Sequence, residues 1–420
     1  MADLENAGVS SHAAFEYPSF LLFTTARFCM VLAVEMQSVA VGWQVYEITK
    51  RPLDLGFVGL VQFLPGVLLF LLSGHVADRY DRRKLLVLCY VGYTLSFGLL
   101  LLTALPKLGS VLFIFVVLVI LGVVRAFNAP VSRSFLPQLV PEDVLPSAIA
   151  WGSTFFQGAT ILGPALGGII YAAAHGPSAV YAMSMVMAIV ALTCTLRIKA
   201  QERPLRHEPV NLSTVLAGLR YIWREKVVFG SISLDLFAVL LGGAVALLPV
   251  YAKEILKTGP WGLGLLRAAP GVGAAAMAIF LAHRPLRRKA GLTMLFCVAG
   301  FGLFTILFGV SHSLVLSLIA LFLVGATDMV SVIVRAVLIQ VATPDEMRGR
   351  VNAVDMVFIG ASNELGEFES GLTAQWLGTV PAVILGGIGT IVVTALWAWS
   401  FPELRRIEQV HSLPAGQAKH

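Results

Sequence analysis

Residues 74–84 read Gly-His-Val-Ala-Asp-Arg-Tyr-Asp-Arg-Arg-Lys, with six charged side chains among eleven residues of a chain that is only 13% charged. Apolar runs stand on either side, over 54–77 before it and 84–105 after it. Each is as long as a helix must be to cross the hydrocarbon of a bilayer, about 20 residues. The charged stretch therefore reads as a loop at a membrane surface joining two spans. The bulk composition agrees: of 420 residues, 57% are hydrophobic, and the mean hydropathy is +0.84. Soluble domains carry about a quarter charged residues, so water is excluded as the solvent for most of this chain. In lipid every backbone polar group must be satisfied internally, and long apolar runs achieve that as helices.

The same ruler gives four further spans in the first half, over 20–46, 109–131, 144–173 and 178–198. The second half gives six, over 228–251, 260–282, 290–310, 313–337, 350–377 and 380–401. The fold class expected is an all-α membrane protein of twelve transmembrane helices in two pseudo-symmetric six-helix bundles. The expected domains are a first bundle over 1–199, a linker with an amphipathic helix over 200–226, a second bundle over 227–405 and a tail over 406–420. Within the linker, 210–226 has the pattern of a surface helix with Asn211 or Ser213 as N-cap. The first apolar run is longer than a signal-peptide core, contains Arg27 and Glu35, and is followed by no small-residue cleavage site. It reads as a retained span.

Basic residues set the orientation, because cytoplasmic loops are enriched in Lys and Arg. With a cytoplasmic N-terminus, twenty of the thirty Lys and Arg fall in cytoplasmic loops and the tail, and five (Lys50, Arg51, Lys107, Lys253 and Lys257) on the other side. The net charge of +6 is thus a topology signal. Charge scattered over many loops does not make a nucleic-acid surface.

The halves echo one another. SRSFLPQLVPEDVLPSAIAW near the end of the fourth span parallels VRAVLIQVATPDEMRGRVNAV near the end of the tenth. Arg133 aligns with Arg335, Gln138 with Gln340 and, after one insertion, Pro141 with Pro344 and Gly163 with Gly366. Duplicated halves with a pathway between them are the transporter plan such a repeat suggests.

The 74–84 loop resembles the signature loop of the major facilitator superfamily, G-x-x-x-D-R-x-x-R-R/K, at Gly74, Asp78, Arg79, Arg82 and Arg83. Gly74 is expected to allow close helix approach. The resemblance implies that Asp78 latches the two halves, with Arg350 or Arg348 as its partner from the second. The corresponding loop, His283–Lys289, keeps its basic charge but lacks the acid. Gly158, Gly163, Pro164, Gly167 and Gly168 in the fifth span resemble the family's glycine-rich fifth-helix motif, common among proton-exchanging exporters; generic small-residue packing is the alternative. With Pro130, Arg133 and Pro137–Val140, the layout is similar to the branch that includes the bacterial enterobactin exporter and related efflux proteins.

Charges inside the spans are the candidate functional residues, since each costs about 2.5–3.5 kcal/mol at mid-membrane. Glu35 lies about fifteen residues into the first span, with Arg125 of the fourth as its expected companion; Arg125 and Asn128 share a face, and Arg27 stands eight residues before Glu35. Asp235 and Asp328 are the unusual acids of the seventh and tenth spans. In the eleventh, Glu364 and Glu367 share a helix face while Glu369 points elsewhere. These three form a proton or cation-substrate site, or else the segment lies near the outer membrane surface or pairs structurally with a base such as Arg267.

The resemblance implies a secondary active transporter that exports small molecules, drug-like or siderophore-like, by proton antiport with alternating access. It also implies a multi-pass place in the bacterial cytoplasmic membrane with both termini cytoplasmic. Partners expected are a small-molecule substrate, protons and membrane lipid, with no nucleic acid, for a monomer. Uptake of a small metabolite is the alternative function, and a polytopic membrane enzyme a more distant one. No Gly-Lys dipeptide exists for a phosphate-binding loop, no HExxH is present, and the four cysteines form no CxxC pair. No cofactor and no metal are expected, and the chain reads as no enzyme. Carboxylates suit cationic cargo and Arg27 and Arg125 suit anionic cargo, so charge alone leaves the substrate open.

Overall fold

The computed structural model describes residues 12–105, 109–199, 212–284 and 289–407, apart from the side chains of Leu71, Asp78, 212–215 and Asp345. Among the described residues all regular structure is helical. The main helices are α1 (Pro18–Thr49), α2 (Pro52–Leu68), α3 (Phe70–Arg79), α4 (Arg82–Thr103), α5 (Val111–Phe135), α6 (Leu145–Ala173) and α7 (Ser178–Arg197). They continue as α8 (Leu212–Arg224), α9 (Lys226–Gly242), α10 (Pro260–His283), α11 (Ala290–Val310), α12 (Leu314–Ala342), α13 (Asp345–Leu377) and α14 (Thr379–Ser400).

Among the described residues, ten helices are long and apolar enough to cross a membrane by length and composition alone. The other two explain themselves. One is α2 with α3, interrupted at Leu69. Pro65 has no N–H to give and strains the preceding turn, yet Leu69 donates to Pro65 O at 2.9 Å and Ser73 to Leu69 O at 2.7 Å, so the chain bends and runs on. The other is α13, whose carboxylates lower its hydropathy. With these two the chain has the twelve spans expected.

The seventh span also departs from a straight helix. After α9 the backbone turns out of helical geometry at Gly243 (ψ 69°), then passes through a 3-10 turn (Ala244–Leu247), one α turn (Leu248–Val250) and a π turn (Tyr251–Ile255). The break frees the Gly243 carbonyl, and Ser370 Oγ of α13 donates to it at 2.9 Å. This is how a broken helix survives away from water.

Two compact units are present. One comprises 1–48 with 61–210, the other 49–60 with 211–420. The glycines aligned by the repeat do the same job in each. A Cβ on Gly163 of α6 would sit 2.4 Å from Glu35 Cβ and 3.3 Å from Leu32 O, both in α1. A Cβ on Gly366 of α13 would sit 3.0 and 2.9 Å from the Val239 and Leu240 carbonyls of α9. In both units a glycine of the fifth helix lets the first come close. Gly167 extends the α1 contact to Met36, whereas Gly158 and Gly74 have nothing within 4 Å. The close approach expected at Gly74 is therefore not made.

The linker helix α8 begins at Leu212, which puts Ser213 inside it and removes Ser213 as N-cap; Asn211 lies outside the described residues. Its apolar face covers protein as well. Ile222 is buried with Ile339, Val351 and Val354, Gly218 backs onto Arg350 O, and Tyr221 donates to Ala342 O at 2.7 Å.

In the second unit α10 and α12 touch backbone to backbone. A Cβ on Gly325 would fall 1.9 Å from Pro270 O, and one on Gly273 1.9 Å from Phe322 O. Overpacking of this kind costs about 1–3 kcal/mol. Gly325→Val is expected to lower the thermal midpoint of the purified protein by several degrees, while Gly158→Ala leaves it unchanged; a scan of both in detergent checks this.

Candidate functional site

Buried charge concentrates at different chemistry in the two units. In the second, Arg335 of α12 is only 3% exposed and Asp235 of α9 only 6%. Arg335 Nη1 pairs with Asp235 Oδ2. Arg335 Nε points at Asp355 Oδ1 of α13 from 3.8 Å, beyond hydrogen-bond length. That Asp355 oxygen is buried and has no hydrogen-bond partner among the described residues. Asp328 lies two turns before Arg335 on the same face of α12, within charge range of both Asp235 and Arg335. Three helices thus hold three carboxylates around one guanidinium. Removing an ion from water costs several kcal/mol, and hydrocarbon offers no repayment; the mutual pairing does.

Of this group, Asp235 and Asp328 were legible as unusual acids. Arg335 was visible only through the repeat. Asp355 was missed because it stands five residues after Arg350, where the eleventh span is just beginning; the apolar neighbours Val351, Ala353, Val354, Met356 and Val357 were the available signal.

The first unit assembles cations and aromatic rings. The Arg27 guanidinium of α1 lies over the Phe156 ring of α6, 5.2 Å from its centroid. Tyr90 of α4 and Arg133 of α5 are within charge range of Arg27, and Tyr93 is within range of Arg125. Tyr90 and Tyr93 are buried. A guanidinium on an aromatic face contributes about 0.5–2 kcal/mol, more as water is excluded. Sequence reading found Arg27 and Arg125 but neither tyrosine, since two tyrosines in an apolar helix carry no periodic signal. Glu35 backs onto Gly163, the α6 motif residue. The structure places Arg125 beside Tyr93 and gives Asn128 a buried Oδ1 with no partner among the described residues.

The α13 carboxylates divide as their spacing implies. Glu364 Oε2 and Glu367 Oε2 converge over Gly59 of α2, 2.9 and 2.6 Å from where its Cβ would be. Glu369 instead accepts from Thr373 Oγ1 of its own helix at 2.7 Å.

In the signature loop, Asp81 caps α4 by accepting from Arg83 N at 2.9 Å and Lys84 N at 3.2 Å. Arg83 donates to the Thr195 and Leu196 carbonyls at the end of α7. That basic residue therefore ties two helices of its own unit together. Arg82 is buried and Arg79 exposed. The side chain of Asp78 lies outside the described residues, as do 285–288 of the corresponding loop. Arg348 and Arg350 lie in the first turns of α13. The four cysteines are free thiols.

The fold is that of the major facilitator transporters. A bacterial homologue of the human lysosomal transporter Spinster superposes with a TM-score of 0.73 at 12% identity, covering 93% of this chain and 98% of that one. A D-xylose–proton symporter does so with a TM-score of 0.69 at 15% identity, covering 92% and 98%. The profile of the family described as transmembrane secretion effector matches residues 9–418. The chain belongs to that family and is a multi-pass membrane transporter. Among relatives, the enterobactin exporter of Citrobacter koseri is 27% identical over 411 residues, 95% of this chain and 96% of that protein. The enterobactin exporter of Shigella boydii is 27% identical over 404 residues, 94% of each.

The Ser370–Gly243 bond predicts a local cost. A buried carbonyl left without its donor costs about 1–3 kcal/mol. Ser370→Ala is expected to destabilise the purified protein by that amount, measured by thermal denaturation, and Ser370→Thr to restore most of it.

Proposed function

We propose that this chain exports an anionic aromatic small molecule, siderophore-like in chemistry, in exchange for protons. The observation that carries this reading is the Arg27 guanidinium laid over Phe156, with Arg133 and the buried Tyr90 close by. A planar anion meets there both a cation and an aromatic face, the two features a catechol or similar phenolate needs. The names of the relatives, enterobactin exporters over nearly the whole chain, support the same cargo class. In this proposal the chain lies in the bacterial inner membrane with both termini cytoplasmic, works as a monomer and performs no chemistry on its cargo.

Proton exchange needs an acid that changes environment as the carrier changes state. Burial favours the neutral carboxyl and a nearby cation the ionised one. Glu35 is a candidate for sensing the conformation of the first unit, because its Cβ rests on Gly163, where α1 and α6 meet. Relative movement of those helices alters its surroundings directly.

Inside-out vesicles carrying the protein test the proposal, with a radiolabelled tricatecholate as probe. An acid-inside gradient is expected to drive its accumulation. Arg27→Gln is expected to reduce that uptake about tenfold, the equivalent of ~1.4 kcal/mol. Glu35→Gln is expected to stay in the membrane and lose gradient-driven uptake. Accumulation of a cationic amphiphile but not the tricatecholate, with Arg27→Gln indifferent, overturns the substrate assignment. Normal gradient-driven uptake by Glu35→Gln removes that residue from the mechanism.

A further inference from the structure

The cluster in the second unit has a charge problem that its geometry answers. Three carboxylates and one guanidinium, all ionised, leave two uncompensated negative charges inside a membrane-embedded helical unit. Burial on this scale costs several kcal/mol per ion. The guanidinium satisfies one acid fully, through Nη1 to Asp235, and another only halfway, through Nε toward Asp355 at 3.8 Å. The Asp355 oxygen on that side is buried and accepts nothing among the described residues. One partnership is made and the second stands open beside it. A small rotation of the Arg335 side chain or a slide of α13 against α12 closes the gap to Asp355 and loosens the hold on Asp235.

We propose that Asp235, Asp328, Asp355 and Arg335 form one proton-exchange site in which Arg335 changes carboxylate partner. The inference rests on the proton-antiport reading above and adds, to Glu35 of the first unit, a proton-exchanging site in the second. When Arg335 pairs with Asp235, the proton resides on the acids it leaves, Asp355 and Asp328. When Arg335 turns to Asp355, the proton passes toward Asp235 and Asp328. Each change of partner moves one proton between carboxylate oxygens, and exchange is completed when a carboxyl gives its proton to water and a carboxylate later takes one back; no other bond changes. Asp355 belongs to α13 and Asp235 to α9, so a change of partner reports on the packing of these helices, which Gly366 makes close.

Among the described residues, the charges that act on Asp328, Arg335 and Asp355 come from within the cluster. Of the helices packed on α12, α10 carries Arg267, three residues before the Pro270 that Gly325 touches, and α11 carries Cys297, a thiol packed in the neighbouring core. On α13, Arg348 and Arg350 stand seven and five residues before Asp355, and Glu364, Glu367 and Glu369 begin nine residues beyond it, about 13 Å at 1.5 Å per residue. On α8, which packs against α13, Arg220 and Arg224 are exposed, and α14 has no charged side chain.

Infrared difference spectroscopy on the purified full-length protein in lipid nanodiscs, titrated with protons alone, reads the site without any substrate. A protonated carboxylic acid shows a carbonyl band that carboxylates lack. The wild type is expected to show such a band, reversibly lost as pH rises, and to shift it when aspartate, but not glutamate, carries a carbon-13 label. Asp328→Asn with Asp355→Asn is expected to abolish the band, and Glu35→Gln to keep it. A wild-type band that ignores the aspartate label, or full retention in the double variant, overturns the proposal. If the double variant fails to fold, Asp355→Asn alone is measured with the aspartate label, and a labelled band of full intensity in it overturns the proposal. Loss of tricatecholate export with an intact aspartate band would sink the cargo assignment and leave this site standing.

Discussion

The Arg335–Asp235 pair is the constraint around which the second unit is arranged. Neither group survives alone in hydrocarbon, so the helices that carry them must stay together for the span of either to remain inserted. α9 and α12 are held by that pair, and α13 joins them through Asp355 on one side of Gly366 and Ser370 on the other. The glycines then become necessary: Gly366 lets α13 reach the α9 backbone, and Gly273 and Gly325 let α10 and α12 do the same. Without a hydrophobic drive between helices in lipid, close packing and polar pairing must supply the association.

The two units share a plan and differ in charge. Gly163 and Gly366 occupy aligned positions and each admits the first helix of its unit. Around them the first unit places Arg27, Arg125 and Arg133 with tyrosines and phenylalanines, and the second places three aspartates around one arginine. The duplicated scaffold thus carries different charged groups in its two halves.

Much of the architecture was legible from the chain alone, since twenty-residue apolar runs and the placement of Lys and Arg are strong signals of spans. The glycine-rich motif of the fifth span was legible too, though the structure narrows it to Gly163 and Gly167 and leaves Gly158 in open space. Partner choice was not legible. Glu35 and Arg125 share no feature that a sequence can show beyond depth, and depth does not say which helix faces which. Asp355 escaped because a lone acid near the start of a span looks like a boundary residue until Arg335 is seen beside it. The break at Gly242–Gly243 escaped for a related reason: paired glycines are common in membrane helices, and only the Ser370 donor shows that this pair opens the backbone.

The most direct measurement is reversal of the central pair. Arg335→Asp and Asp235→Arg are each made alone and together, and the thermal midpoint of the purified protein is read in detergent. Arg335→Asp leaves four carboxylates and no cation in the buried cluster, and it is predicted to fail to yield a stable protein while the double reversal recovers a large part of the stability. Arg335→Asp as stable as the natural chain would show that the pair is solvated, and would contradict the claim that sheltered charge organises this unit.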